Sequence, residues 1–326
     1  MKRQFRKKKG ARGTGGNIIA DKRFYELINS EEEIVKIVSD MHLTEGALWD
    51  YKNDRLIFND IPVSNTMCWD EKKGTQILFH NGKKANGQCF DPEGNLIVCE
   101  HATSMLSRCS VEGKNYEILS KECEGIELNS PNDVVCRSDG IIYFTDPDYG
   151  RQDAPAGVYR PIPSAKRPVY IYYPDTGRTI EGADIFKNPN GLCFSPDEKI
   201  LYVNDSPTYR IWAFDVQPDG KLKNVRKFAD VNIFGEDDTV PDGMKIDAQG
   251  NILCCGPDGL HYYAPDGTFL GMIITSGIDT ALNFCWGGDD GKDLFITCKG
   301  CVLKTRTKIC GITHIQYKEG IFPRRD

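Results

Sequence analysis

The stretch Asn190-Gly191-Leu192-Cys193 begins with a polar residue at a turn and runs into a short apolar strand. The turn Ser195-Pro196-Asp197-Glu198 follows, and a second apolar strand begins at Ile200. Five other stretches share this plan, and the six opening residues are Glu45, Asn86, Asn132, Asn190, Asp242 and Asn283. Their spacing runs from 41 residues (Glu45 to Asn86) to 58 residues (Asn132 to Asn190). A repeat of roughly 40–50 residues with several strands is typical of a β-propeller.

Each repeat has room for four strands. A third strand is legible at Val169–Tyr173 and Arg210–Asp215, and a fourth, outer strand at Thr75–Phe79 and Thr268–Ile274. Six such repeats predict an all-β fold, a six-bladed β-propeller with four-stranded blades around a central metal-binding channel. The Pro-rich segment 147–168 exceeds the repeat, and long loops on a rigid scaffold often form lids or pocket walls.

The rest of the chain suits one domain. We expect a flexible, basic, Gly-rich arm over residues 1–20 and a single propeller over residues 21–326. The basic run Lys2–Lys9 could contact nucleic acid or an anionic surface, but a solvated terminus is the simpler interpretation. The net charge of −6 disfavours a general nucleic-acid binder. No secretory segment and no membrane-spanning run is recognisable, so neither nucleic acid nor a membrane is an expected partner.

The thirteen cysteines are scattered, mostly within apolar strands. Cys298-Lys299-Gly300-Cys301 has CxxC spacing, but no second CxxC and no paired histidine completes a zinc site. Cysteine in such strands behaves as a small apolar residue. We therefore expect reduced core cysteines and a cytoplasmic protein.

The opening residues all carry a side-chain oxygen. If each begins the innermost strand of its blade, six oxygen-bearing side chains converge on one channel. One Asn-Gly or Asp-Gly pair alone is more often a turn, but six polar opening residues in phase favour a metal site. Carboxylate and amide oxygens suit Ca²⁺ or Mg²⁺. The two negative charges of Glu45 and Asp242 would nearly neutralise a divalent ion and leave it able to polarise a carbonyl.

Four motifs resemble those of the regucalcin/gluconolactonase family. They are Glu45-Gly46 with Trp49, Ser130-Pro131-Asn132-Asp133, Asn190-Gly191-Leu192 with Ser195-Pro196-Asp197, and Pro241-Asp242-Gly243-Met244. The similarity covers about residues 40–310 in order. It implies a six-bladed propeller with one catalytic divalent cation, usually Ca²⁺, with Mg²⁺, Mn²⁺ or Zn²⁺ as alternatives. It also implies hydrolysis of sugar-acid lactones or other small cyclic esters.

The resemblance also assigns roles to single residues. It makes Glu45, Asn190 and Asp242 the principal metal ligands. It places Asn132 where the family contacts the metal, its water or the substrate. Asp242 is also the position that the family uses as proton acceptor and donor, which fits general acid–base chemistry beside a polarised carbonyl.

Further pocket residues are expected at comparable strand ends. Asn86, Tyr149, Asn204 and Asp205 are candidates for holding sugar hydroxyls. His101 could bind a substrate hydroxyl or assist proton transfer, and a histidine on a surface turn is the equally open alternative.

The sequence thus predicts a metal-dependent hydrolase that opens a small lactone, such as gluconolactone, with that lactone or an ester as its partner. One alternative is a hydrolase of other esters, aromatic lactones or organophosphates. The other is a non-catalytic propeller that binds calcium or senses a ligand.

Overall fold

The computed structural model describes residues 17–29, 31–231 and 239–320. Within these ranges the chain forms six antiparallel sheets around a central channel, together with one two-stranded ribbon. The predicted all-β fold, a six-bladed propeller with four-stranded blades, is therefore confirmed. Sheets one to four each use four strands that follow one another along the chain, with the first strand innermost.

The blades are numbered in chain order. The strands of blade 1 are Thr44–Asp50, Arg55–Asp60, Asn65–Asp70 and Gly74–His80. Those of blade 2 are Ala85–Phe90, Leu96–Glu100, Met105–Cys109 and Glu117–Ser120. Blade 3 contains Val134–Cys136, Ile142–Thr145, Val169–Tyr173 and Arg178–Ala183. Blade 4 contains Pro189–Phe194, Ile200–Asp205, Arg210–Val216 and Leu222–Asp230.

The last two blades borrow strands from the beginning of the described chain. Blade 5 contains Met244–Ile246, Ile252–Gly256, Gly259–Tyr263, Phe269–Ile274 and Asn17–Ile19. Blade 6 contains Ala281–Gly287, Asp293–Cys298, Val302–Arg306 and Val35–Val38. The remaining elements are short: the helices Phe24–Leu27 and Ile312–Lys318, the 3₁₀ turns Tyr149–Arg151 and Ser206–Thr208, and the ribbon strands Glu122–Cys123 and Ile126–Glu127.

The strand Val35–Val38 closes the ring, because it supplies the outer strand of blade 6 and pairs antiparallel with Val302–Arg306. Asn17–Ile19 adds a fifth strand to blade 5 through Phe269–Ile274. It lies within the segment that the sequence analysis assigned to the N-terminal arm, so the end of that arm is a paired strand. The basic run Lys2–Lys9 lies outside the described residues.

Apolar side chains fill the spaces between neighbouring blades. Between blades 5 and 6, for example, Leu253, Leu260, Phe284 and Ile296 are fully buried in one cluster. All thirteen cysteines lie in the described ranges as free thiols, and most are buried. Burial of apolar surface, with no cross-link, holds the blades together.

In three blades an aspartate at the end of the second strand, or just after it, fixes the segment that leads into the inner strand. Asp146 accepts backbone N–H bonds from Asn129 (2.7 Å) and Ser130 (2.8 Å). Asp60 holds the residues before the inner strand of blade 1 in the same way, and Asp205 does so in blade 4. In these three blades the aspartate therefore fixes where the opening residue, Glu45, Asn132 or Asn190, enters the channel.

Candidate active site at the channel mouth

Four of the six opening residues, Glu45, Asn86, Asn190 and Asp242, are followed by a glycine that lets the next blade come close. Gly87 donates its N–H to the carbonyl of Asn132 at 2.8 Å, and a Cβ on Gly87 would lie 2.5 Å from that same oxygen. A Cβ on Gly191 would overlap the carbonyl oxygen of Asp242. The Asn-Gly pairs thus serve a close approach of backbones, which only glycine permits.

Glu45 is buried at the start of the inner strand of blade 1. Its Oε2 accepts the N–H of Gly46 (2.9 Å) and the Nδ2–H of Asn283 (3.0 Å). Its Oε1 has no hydrogen-bond partner in the described part of the chain and is free for a ligand. Burial, with the nearby charge of Asp133 adding to it, raises the pKa of Glu45 to about 7.

Asp242 faces Glu45 from blade 5. Burial raises the pKa of Asp242 well above its usual range, and the negative charges of Glu45 and Asp133 raise it further. A hydrogen bond from the Asn190 side chain acts in the opposite direction. Two neighbouring carboxylates that are both removed from water raise the free energy of the folded protein unless a positive charge neutralises them.

The donor set fits a hard divalent cation. Besides the two carboxylates, Asn132 and Asn190 bring side-chain amide oxygens and are 6 % and 5 % exposed. Within residues 17–29, 31–231 and 239–320, no three His, Cys, Asp or Glu side chains are grouped to hold a metal. Any cation here would therefore depend on amide oxygens as much as on carboxylates.

His101 is buried and lies behind Asn86, not on a surface turn. Its Nδ1–H donates to the Ala156 carbonyl (3.0 Å), and its Nε2 accepts the Nδ2–H of Asn86 (2.9 Å). Burial lowers the pKa of His101 to about 4, so the ring is neutral at neutral pH. The Asn86 Oδ1 is buried and has no partner among the described residues. His101 thus fixes the orientation of Asn86, whose amide oxygen is the available one.

The segment 147–168 forms a wall at the channel mouth. Arg160 ties it to blade 2 through the carbonyls of His101 and Ala102, both at 2.7 Å. Tyr149, in the 3₁₀ turn of this wall, lies beside Ser206. Burial raises the pKa of Tyr149, and the charge of Asp242 adds to the rise, which places this phenol near the carboxylate pair.

Asp205 and Asn204, which the sequence proposed for substrate binding, both contact protein groups, but Asn204 keeps a buried side-chain oxygen without a partner among the described residues. Both carboxylate oxygens of Asp205 are engaged, by the N–H groups of Lys187 and Asn188 and by the Thr208 hydroxyl. The loop before the inner strand thus uses Asp205 as an acceptor, and a role for it in holding a sugar hydroxyl stays a prediction. Asn204 donates to the Asp242 carbonyl at 2.5 Å.

Sequence reasoning missed Lys245 and Asp133. The Lys245 Nζ lies 3.4 Å from the Asp133 Oδ2 and 3.2 Å from the Asn283 Oδ1. One signal was present, because Lys245 is a lone charge in the short strand Met244–Ile246, where a charged residue is buried only with a partner.

The channel below Lys245 has a different character. A cavity of about 140 Å³ there is lined by apolar and aromatic side chains such as Trp49, Phe194 and Trp286. Residues Ile312 and Gln316 of the C-terminal helix border it. It holds few polar groups, so the chemistry of the channel belongs to the end where the opening residues lie.

Comparison with known proteins agrees with this architecture. A gluconolactonase of Zymomonas mobilis is 29% identical over 311 residues, covering 89% of this chain and 85% of its own. The solved structure of a gluconolactonase from Xanthomonas campestris has a TM-score of 0.81 and 29% identity, covering 91% of this chain and 98% of that one. The diisopropyl-fluorophosphatase of Loligo vulgaris is 25% identical, covering 73% of this chain and 80% of its own.

No helix in the described residues is long and apolar enough to cross a membrane. The profile of the SMP-30/gluconolactonase/LRE-like region matches residues 43–300, a range that holds all six opening residues and all six inner strands. The chain is therefore a member of the SMP-30/gluconolactonase/LRE-like family.

Proposed function

We propose that this protein is a hydrolase that opens a small lactone, such as a sugar aldonolactone, with one divalent cation at the channel mouth. The observation that carries the proposal is the carboxylate pair of the buried Glu45 and the half-buried Asp242, accompanied by the amides of Asn132 and Asn190. Family membership supports it, as do the relatives that are named gluconolactonases.

Glu45, Asn190 and Asp242 would hold the cation, with Asn132 next to it or to the substrate. Ca²⁺ is the proposed ion, because carboxylates and neutral amides in an irregular shell suit it. When bound, such an ion polarises a carbonyl and stabilises the oxyanion that forms on it. The Glu45 Oε1 is the free oxygen for this purpose, since Oε2 is occupied by Gly46 and Asn283.

Asp242 is the proposed acid–base residue. As a carboxylate it takes a proton from the attacking water, and as an acid it returns that proton to the ring oxygen when the acyl bond breaks. Asn86 would orient the substrate through its free Oδ1, which His101 holds in place. Tyr149 would close the same side of the pocket from the wall 147–168.

Hydrolysis of another ester or of an organophosphate is the second candidate. The similarity to the Loligo enzyme, whose name states that it acts on a fluorophosphate, favours it. Both reactions need the same polarised centre, so they differ in the pocket and not in the carboxylate pair. We propose a cytoplasmic location because all thirteen cysteines are unpaired.

A hydrolysis screen with a pH indicator would test the proposal. The panel contains sugar lactones, aliphatic lactones, aryl esters and a fluorophosphate, each with Ca²⁺, Mg²⁺, Mn²⁺ or Zn²⁺ and with a chelator. We expect cation-dependent turnover of a sugar lactone. Tight cation binding without turnover of any compound would refute the enzyme and leave a calcium-binding or ligand-sensing propeller.

A further inference from the structure

Lys245 places an ammonium group inside the channel, beside the proposed cation site. It projects from the inner strand of blade 5 and reaches Asp133 on blade 3 and Asn283 on blade 6. Its side chain is 22 % exposed, and that of Asp133 is 3 % exposed. The ion pair therefore crosses the channel between elements far apart in sequence, away from bulk solvent.

Asn283 links Lys245 to Glu45 through two hydrogen bonds. The Asn283 Oδ1 accepts from Lys245 and from the N–H of Phe284 (2.9 Å), which leaves its Nδ2 to donate to Glu45. A cation at Lys245 can be bound only by the oxygen end of the amide. The ammonium thus fixes the Asn283 orientation in which Glu45 keeps one oxygen free.

The charged side chains at the channel mouth can be counted to give the net charge of the site. Three carboxylates, those of Glu45, Asp133 and Asp242, act on one another, and Lys245 acts on Glu45 and Asp242 as well. With the carboxylates ionised, three negative charges and one ammonium leave a net of two negative charges. One divalent cation neutralises that net, whereas without Lys245 the same residues would match a trivalent cation.

We propose that Lys245 is the fixed counter-charge of the channel and that it sets the cation charge which the site prefers. The proposal rests on the proposed cation site at Glu45 and Asp242. Lys245 is a positioning residue in this account, since it acts through Asp133 and Asn283 and not on the reacting atoms.

The test measures binding of Ca²⁺ and Tb³⁺ alone, by calorimetry at one fixed pH and ionic strength, and needs no substrate. Lys245→Met should raise the Tb³⁺ to Ca²⁺ affinity ratio by at least about tenfold, which is the effect of one charge about 12 Å away at an effective dielectric constant near 20, and a shorter distance makes it larger. Asp133→Asn should lower the ratio by a similar factor. The double variant Lys245→Met/Asp133→Asn should return it to the native value.

The affinity ratio distinguishes an electrostatic effect from local disordering, because disordering of the site would lower the affinity for both ions together. Lys114→Met, on an exposed outer turn of blade 2, is the control and should leave the ratio unchanged. If Lys245→Met does not fold, the affinity ratios of Asp133→Asn and the double variant still test the role of Lys245. An unchanged ratio in the folded variants would overturn the role of Lys245 alone. Absence of Ca²⁺ binding by the native protein would overturn the proposed cation site as well.

Discussion

Asp242 has two proposed roles, as a ligand and as an acid–base group, and one substitution separates them. Asp242→Asn keeps the size and one oxygen but removes the charge and the proton acceptor. We expect turnover to fall by about 10²–10⁴-fold even with the cation site filled, the usual size of a general acid–base contribution. The measurement is kcat at saturating cation, with occupancy determined on the variant.

The matched control is Asp175→Asn, on an exposed turn of blade 3, which should keep native turnover. Recovery of near-native turnover by a fully loaded Asp242→Asn protein would reduce Asp242 to a ligand. The base would then have to be another group, and His101 is a poor one because both of its ring nitrogens are already bonded.

His101 predicts how stability depends on pH. Its pKa is about 4 in the folded protein and 6.5 when unperturbed, so between these values the unfolded chain binds the extra proton. The resulting stability is complete above pH 6.5 and is lost as pH falls toward 4, by up to about 3 kcal/mol. In urea unfolding over this range, His101→Gln should show a shallower loss.

The exposed His80 provides the comparison, since His80→Gln should retain the native slope. A slope that stays native in His101→Gln would mean that other groups cause the acid sensitivity. His261 is one of them, because burial lowers its pKa to about 4 too, and so some slope should persist in the variant.

For single residues, the sequence indicated the opening residues but not the side chains that surround them. A polar residue before a short apolar strand is visible in the chain, so Glu45 and Asp242 could be proposed from it. The contacts of Lys245 join residues 112 and 38 positions apart, and no local pattern encodes such pairings. The contacts of Asp205 with Lys187 and Asn188 were not visible for the same reason, since these partners precede it by a whole hairpin.

Among the elements, the closing strand Val35–Val38 carries the clearest stability prediction. Val38 is buried at 4 %, whereas Val35, on the same strand, is 44 % exposed. Val38→Asp would bury an unpaired charge and should cost several kcal/mol of unfolding free energy. Val35→Asp is the matched control and should cost less than about 1 kcal/mol. Equal losses in urea unfolding would contradict closure by this strand.

The repeat predicted the four strands of most blades but not this closure. Residues 21–38 contain the short helix Phe24–Leu27 and the strand Val35–Val38. That the strand would complete blade 6 could not be read locally, because its partner Val302–Arg306 lies at the other end of the chain.

For the whole molecule, the cation should be a local support and not a condition for folding. The cores between the blades are built from apolar strands, and the carboxylate pair lies at their inner edge. Chelation should therefore abolish hydrolysis while the far-ultraviolet circular dichroism of the β-sheets persists. Melting temperature should fall only by mass action, which corresponds to about 2.7 kcal/mol when the ion had been present at 100 times its Kd.

Returning Ca²⁺ to the chelated protein should restore both activity and melting temperature, which shows that the fold survived. Loss of the β-type spectrum on chelation would contradict this and make the ion structural. The pKa values point the same way, because Glu45 and Asp242 can each take up a proton when no cation is present. Protonation removes the repulsion that would otherwise open the channel, so the empty site should remain folded and ready to be reloaded.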